Sequence, residues 1–466
     1  MANFFKSNKY ACVTAGVAAL VMIITLFCLR LGVADNGYLT QRLVSLGMYD
    51  AQMTSGTGYY STAFGVADNF VSFMPSDIIY SVFKAVFPTD SSLPVALPAI
   101  IYMIFAVWGI FMIVKALTCE IKWNNILLCV LTVLIAADTG YVTFFNTPYE
   151  CGAAISYFVP MLGALLMYIK FGRLRDAVIF GIFGVLFAGT MPQSAAIGVI
   201  IALFAVYLAV TQKGSVRKIV VGLIGVLIFV SGIFGLSNMS DADKYNSVFY
   251  GVASNANSSY SAVLSDLKII GADDLAGKAY FESEAQAFIM SPEFDSVMRN
   301  VNPVNIALMY TKNPEYIRLS LKSAAYNSMF IKTEYLGNYP ASSGKSGCLS
   351  SFFSLYSYAK KALVPGSIIT LIAVFAFVIF FAFDYKKKYA QRDDTKNTCV
   401  LCVFLVIAAA ISLVMPIVYF GRAQLGFNMI IYNLIFDTLV VATAVGGTKL
   451  LAIRRSILRE KFGVNQ

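Results

Sequence analysis

The chain has 466 residues, of which 58% are hydrophobic and 13% charged, with a mean hydropathy of +0.72. A soluble globular chain carries about a quarter charged residues, so this composition describes a polytopic membrane protein. There is no histidine, which excludes His general bases, Ser-His and Cys-His nucleophile pairs and His-held metals in one step. The net charge of +10 does not mark a nucleic-acid surface, because the clustered Lys and Arg fall mostly in short loops between apolar runs, as the positive-inside rule expects.

Lys6 and Lys9 precede an apolar run from about Ala11 to Val33, long enough to cross a bilayer. The flanking lysines predict a cytoplasmic N-terminus, and no small-residue cleavage site stands clear after the run. Val33-Ala34-Asp35-Asn36-Gly37-Tyr38 follows, with the first acid beyond a span. The bland reading of Asp35 is a cap on the next helix; the functional one is a carboxylate at the outer mouth of the bundle. The segment to about Leu93 is expected outside. Within it, Leu39, Leu43 and Leu46 are spaced for an interfacial helix over Gly37 to Met53, broken by Gly56 and Gly58, and Asp77 to Phe87 predicts another short helix.

Spans two to seven are expected at about Val95 to Leu117, Asn125 to Phe144, Cys151 to Ile169, Ala177 to Met191, Ala195 to Val210 and Ile219 to Leu236. Basic inner loops separate them, at Lys122, at Lys170, Arg173 and Arg175, and at Lys213, Arg217 and Lys218. Asp138 sits near the outer end of the third span, where water is expected to reach it, and Pro160 predicts a kink in the fourth. The stretch Ser237 to Leu363 turns abruptly polar and reads as one large external segment. Helices are expected there over Ala276 to Arg299 and Pro303 to Ile331, with turns at Asn302-Pro303 and Asn313-Pro314. Three more spans follow, at about Val364 to Phe383, Cys399 to Phe420 and Asn428 to Thr448, with Lys386-Lys387-Lys388 inside, Arg422 in a short outer loop and a basic tail to Lys461. Cys399 and Cys402 form a C-x-x-C inside a span and read as packing residues. Asp437, deep in the last span, must face the bundle interior, neutral or paired.

The expected fold class is therefore all-α and polytopic, with about ten transmembrane helices and both termini cytoplasmic. It divides into a first membrane module (1–236), an extracytoplasmic, mostly helical loop (237–363) and a second membrane module (364–466).

This alternation brings Asp35, Glu150, Pro192-Gln193 and Arg422 to one face, beneath the large loop. An acid, a second carboxylate and an arginine at a membrane surface suit transfer of a sugar from a polyprenyl phosphate to a glycan hydroxyl. A carboxylate accepts the hydroxyl proton, and a guanidinium matches the leaving phosphate. Tyr149 and Tyr335 are candidates to stack on sugar rings. No Walker or Rossmann glycine loop is present. Without histidine, a divalent metal such as Mg or Mn would need oxygen ligands; the residues assign no metal ligand and no certain cofactor.

The layout resembles the C-type (GT-C) glycosyltransferases: many spans, a carboxylate directly after the first, and a large external loop before the last. More narrowly it resembles bacterial surface-glycan hexosyltransferases of the WsfD-like family. The stretches concerned are Asp35-Asn36-Gly37, Phe144 to Glu150, Tyr245-Asn246-Ser247-Val248-Phe249-Tyr250-Gly251, Lys312 to Tyr316 and Tyr335-Leu336-Gly337-Asn338-Tyr339. The resemblance implies inverting hexose transfer on the outer face of the cytoplasmic membrane, with Asp35 as the base. By position, Glu150, Gln193, Arg422, Tyr149 and Asn36 are the residues expected around the substrate, Glu150 on sugar hydroxyls or a cationic side chain and Arg422 on the donor phosphate. The family pattern expects a second acid just after Asp-Asn-Gly. Tyr38 stands there instead, so Glu150 or Asp68 must supply any second carboxylate. Two other classes compete: a flippase or transporter of lipid-linked glycans, which Asp437 would serve, and a glycan polymerase, which would use the outer arginines Arg42, Arg299, Arg318 and Arg422.

Overall fold

The computed structural model describes residues 2–462 except 36, 54–59, 238, 257–259, 268, 270–271, 334, 346 and 390–392, and leaves aside the side chains of 2–4, 260, 262, 273, 388–389, 453–454 and 456–462. Helices stand at all ten expected places, because in lipid each backbone polar group must be satisfied within its own segment. In chain order the first half gives α1 (Lys9–Ile23), α2 (Leu39–Ser45), α3 (Ile78–Val86), α4 (Ala96–Leu117), α5 (Lys122–Ala136), α6 (Thr139–Val142), α7 (Glu150–Phe171), α8 (Leu174–Ala188), α9 (Pro192–Thr211) and α10 (Ser215–Ser237). The second half gives α11 (Asp241–Ser247), α12 (Pro303–Lys312), α13 (Pro314–Asn327), α14 (Leu355–Leu363), α15 (Ile368–Tyr389), α16 (Asp393–Phe420) and α17 (Ile430–Phe462).

Among the described residues, eight helices are long and apolar enough to cross a membrane, and α5 with the bent segment Thr139–Asn146 makes a ninth. The helix at the remaining expected span, α8, has 15 residues, roughly 22 Å, short of the roughly 20 residues a span needs.

At the centre of the bundle lies α7, buried throughout from Cys151 to Ile169. Gly109 of α4 meets α7 at its proline: a Cβ there would sit 2.5 Å from the Pro160 nitrogen. The two backbones touch where Pro160 has no N–H to satisfy.

The segments expected outside are more broken than the periodicity predicts. The interfacial helix stops at Ser45, and Gly47 turns the chain at φ 63°. Met48–Tyr49, Ala63–Val66 and Ser92–Pro94 then form a three-stranded antiparallel sheet. The helix expected over Ala276 to Arg299 is instead two short ones, Ser283–Ile289 and Phe294–Met298. Pro292 lies between them, and a proline forbids a continuous helix. The turn at Asn313-Pro314 separates α12 from α13 as expected.

Asp138 corrects another expectation. It is fully buried rather than solvated. Its carboxylate caps α6 by accepting from the Gly140 amide at 2.8 Å, and it accepts from the Ser357 amide at 3.1 Å. The cause is α14, which folds down from the large loop over the end of the span. Asp437 is paired, as its depth requires: Lys360 Nζ lies 2.6 Å away, and the hydroxyls of Tyr141 and Tyr356 donate to it at 2.6 and 2.7 Å.

Candidate functional site

The residues around Asp35 are held from three sides. After α1 the chain makes a π-helical turn, Ile24–Cys28, which leaves carbonyls without helical partners. The Asn146 side chain donates to one of them, Leu26, and to the carbonyl of Leu31 just beyond the turn, at 2.9 Å each. Gly32–Val33 then pairs antiparallel with Leu336–Asn338, and the Ala34 amide donates to the Tyr335 carbonyl at 3.0 Å. Further on, the Asn246 side chain donates to the Tyr38 hydroxyl at 2.6 Å while its carbonyl accepts from the Tyr280 amide at 2.9 Å. Three of the stretches singled out in the sequence thus converge on residues 26–38.

Next to this segment, at the end of the bundle where α7 and α9 begin and α10 and α16 end, lies a cavity of about 330 Å³. Its wall includes Tyr38, Arg42, Asp77, Tyr149, Glu150, Asp243 and Gln424. Arg42 holds the wall together. Its Nε donates to the Pro148 carbonyl at 2.9 Å, one terminal nitrogen donates to Asp77 at 2.7 Å, and the other lies 3.5 Å from Glu150. The Arg42 and Asp77 side chains are 12% and 9% exposed, so that ion pair forms away from bulk water, whereas Glu150 is 38% exposed.

Asp77 also accepts from the hydroxyls of Ser72 and Ser76 at 2.8 and 2.7 Å. Burial pushes its carboxyl up, but the Arg42 guanidinium and these hydroxyls outweigh it and hold Asp77 below the ordinary carboxylate range. Asp243 behaves in the opposite way. It is half-buried at the start of α11, in a capping box with Ser240, whose hydroxyl donates to it at 2.6 Å. Burial, with smaller contributions from Glu150 and Asp241, outweighs the Ser240 hydrogen bonds and pushes Asp243 up to about 7.

The expected site residues divide accordingly. Glu150 and Tyr149 line the cavity; the Tyr149 ring packs edge-on against Phe427 at 5.1 Å. Asp35 does not line it: it is 7% exposed, and its Oδ1 accepts from the Gly37 amide at 2.8 Å. Gln193 is buried behind the wall formed by Met191 and Pro192, its amide without a hydrogen-bond partner among the described residues. Arg422 is exposed outside the wall, its guanidinium 5.8 Å from the Tyr250 ring. Asn36 lies outside the described residues. Arg42, Asp77 and Asp243 were not foreseen as one site. The signals available were Arg42 on the polar side of α2 and the acidic cap before the Tyr245 stretch; nothing local in the sequence ties either to Glu150. Among the described residues no three His, Cys, Asp or Glu side chains are grouped to hold a metal ion.

Fold and cavity define a multi-pass membrane protein with a charged chamber at one end of its helix bundle. The chain belongs to the family of the YfdI N-terminal transmembrane domain, whose model matches residues 2–461. None of the curated proteins matches it. Among solved structures it is similar to the apo oligosaccharyltransferase of Archaeoglobus fulgidus, at 11% identity and a TM-score of 0.40, over 98% of this chain and 52% of that one. The chain thus spans about half the length of that protein.

Proposed function

We propose that this chain is a membrane glycosyltransferase of the GT-C type. It moves a hexose from a polyprenyl-phosphate-linked donor to a hydroxyl of a surface glycan, with inversion, on the extracytoplasmic face of the bacterial cytoplasmic membrane, both termini being cytoplasmic. The observation that carries this reading is the gathering of Asp77, Glu150 and Asp243 around one cavity at the end of a membrane bundle, with Arg42 bridging the first two.

An acidic chamber suits sugar better than phosphate. Carboxylates accept hydrogen bonds from sugar hydroxyls, and they stabilise the positive charge that develops on the sugar ring in glycosyl transfer. Arg42, engaged on three sides, positions Glu150 rather than binding phosphate. The acceptor oxygen attacks the anomeric carbon as the carbon–oxygen bond to phosphate breaks. The electron pair leaves with the polyprenyl phosphate, which exits toward Arg422 at the rim, and the acceptor proton passes to a carboxylate. Asp243 is the base that the cavity favours: it faces the chamber and holds its proton near neutrality. Asp35 is the base that the GT-C resemblance favours. The transporter alternative rested on the deep acid Asp437, which Lys360 and two tyrosine hydroxyls fully engage.

The test is hexose transfer by the purified protein in vesicles with a polyprenyl-phosphate hexose. Removing the base should lower kcat by about a hundredfold or more. A collapse in Asp243→Asn with Asp35→Asn near normal assigns the base to Asp243, and the reverse assigns it to Asp35. Normal transfer by both variants rejects a carboxylate base at this site, and no transfer by the unaltered protein from any hexose donor rejects the reading.

A further inference from the structure

The first external segment contains a helix turned inside out. The polar residues of α3 face the protein: Ser81 and Lys84 are buried, the Ser81 hydroxyl accepts from the Ser72 amide at 3.0 Å, and Lys84 Nζ lies 3.3 Å from Asp68. Its outward stripe is apolar. Val82 and Val86, one turn apart, are 58% and 74% exposed. The preceding loop continues the stripe with Phe70 at 72% and Phe73 at 85%. Water disfavours so contiguous an apolar surface.

The depth of this segment identifies what covers it. The Tyr157 hydroxyl donates to the Pro75 carbonyl at 3.2 Å. Tyr157 lies seven residues into α7, roughly 10 Å below its start. On the other side, a Cβ at Gly189, just past the end of α8, would come within 2.6 Å of the Pro75 ring. The loop is therefore wedged between the side chain of a residue about two turns into α7 and the far end of α8. The bilayer-facing surface beside it is apolar as well, with Phe234 of α10 68% exposed.

We propose that residues 70–86 lie within the bilayer leaflet nearest the cavity, with Phe70, Phe73, Val82 and Val86 in its hydrocarbon. Met74, which is 42% exposed and also lines the cavity, is the threshold over which the chain of a lipid-linked substrate leaves the chamber. The membrane contact stands by itself; the threshold rests on the function proposed above.

The contact is read by fluorescence. In the full-length protein with Trp108→Phe and Trp123→Phe, a single tryptophan is introduced by Phe73→Trp, or by Val82→Trp in a second protein, and reconstituted in phosphatidylcholine vesicles. Quenching by lipids brominated on their acyl chains, without quenching by aqueous iodide, is the expected result; the opposite pattern overturns the contact. For the threshold, Phe73→Ser should raise KM for a long polyprenyl donor about tenfold and leave KM for a short, water-soluble donor unchanged. An equal rise for both donors, or none for the long one, overturns the threshold. If the unaltered protein transfers from neither donor, the threshold and the proposed function fall together, while the quenching still decides the membrane contact.

Discussion

Arg42 and Asp243 show how one cavity keeps carboxylates in different states. The guanidinium holds Asp77 ionised, whereas burial and neighbouring acids leave Asp243 with a proton to about pH 7. Under the proposed transfer Asp243 must be ionised to act. Activity should therefore rise with pH, about tenfold per unit below 7, and level off above it. Asp243→Asn keeps an acceptor for the cap but removes this limb. Glu150→Gln, by deleting a like charge, should move the limb to lower pH. The pH profile of kcat/KM checks both. The same shift has a sign in stability: the folded state holds that proton more tightly than the unfolded chain, so stability falls as pH climbs from the ordinary carboxylate range to about 7 and is flat beyond. Asn146 acts on structure alone. Asn146→Ala strands two buried carbonyls, at a cost of about 1–3 kcal/mol, visible as a lower unfolding temperature in detergent.

At the scale of elements, the loop between α16 and α17 is set by glycine. Gly421 has φ 60°, and a Cβ there would lie 2.4 Å from the Asn246 carbonyl and 2.7 Å from Gly251. The large loop thus seats directly on the turn that presents Gln424 to the cavity. Gly421→Ala should push them apart, costing about 1–3 kcal/mol and weakening substrate binding; the unfolding temperature and KM measured together check this. Elements also show what periodicity reveals. The spans were legible because lipid demands long apolar helices, and Asn302-Pro303 and Asn313-Pro314 were legible as turns. The short fifth span was legible from its length, and Pro292 was a local break signal that the expected helix over Ala276 to Arg299 passed over. The three small strands of the first segment were not legible, because their pairing depends on partners distant in sequence.

At the scale of the molecule, α14 clips the 237–363 lobe to the bundle, through the Asp138–Ser357 contacts and one buried ion pair. Lys360, 2% exposed, reaches Asp437 at 2.6 Å and Asn433 at 2.6 Å. Removing one partner leaves an uncompensated buried charge, so Lys360→Met should destabilise by about 3–5 kcal/mol. Lys360→Met with Asp437→Leu should recover only part of that, because the Tyr141 and Tyr356 hydroxyls then lose their acceptor. A thermal-unfolding double-mutant cycle measures the difference. The need for Asp437 to find a partner was legible from its depth; the partner was not, since Lys360 lies in a loop whose fold no local signal fixes. The site divides in the same way. Alternation of the spans brought Glu150, Tyr149 and Pro192 to one end of the bundle, whereas Arg42, Asp77 and Asp243 join them only through the packing of the first segment and the lobe.

The central claim, that the Arg42–Glu150–Asp243 chamber is where sugar is transferred, is tested most directly by cryo-electron microscopy of the protein with a non-cleavable polyprenyl-phosphonate hexose. The account predicts sugar density between Glu150 and Asp243, with the phosphonate toward Arg422 and the lipid chain passing Met74. Density for the sugar anywhere else, with the chamber empty, would contradict it.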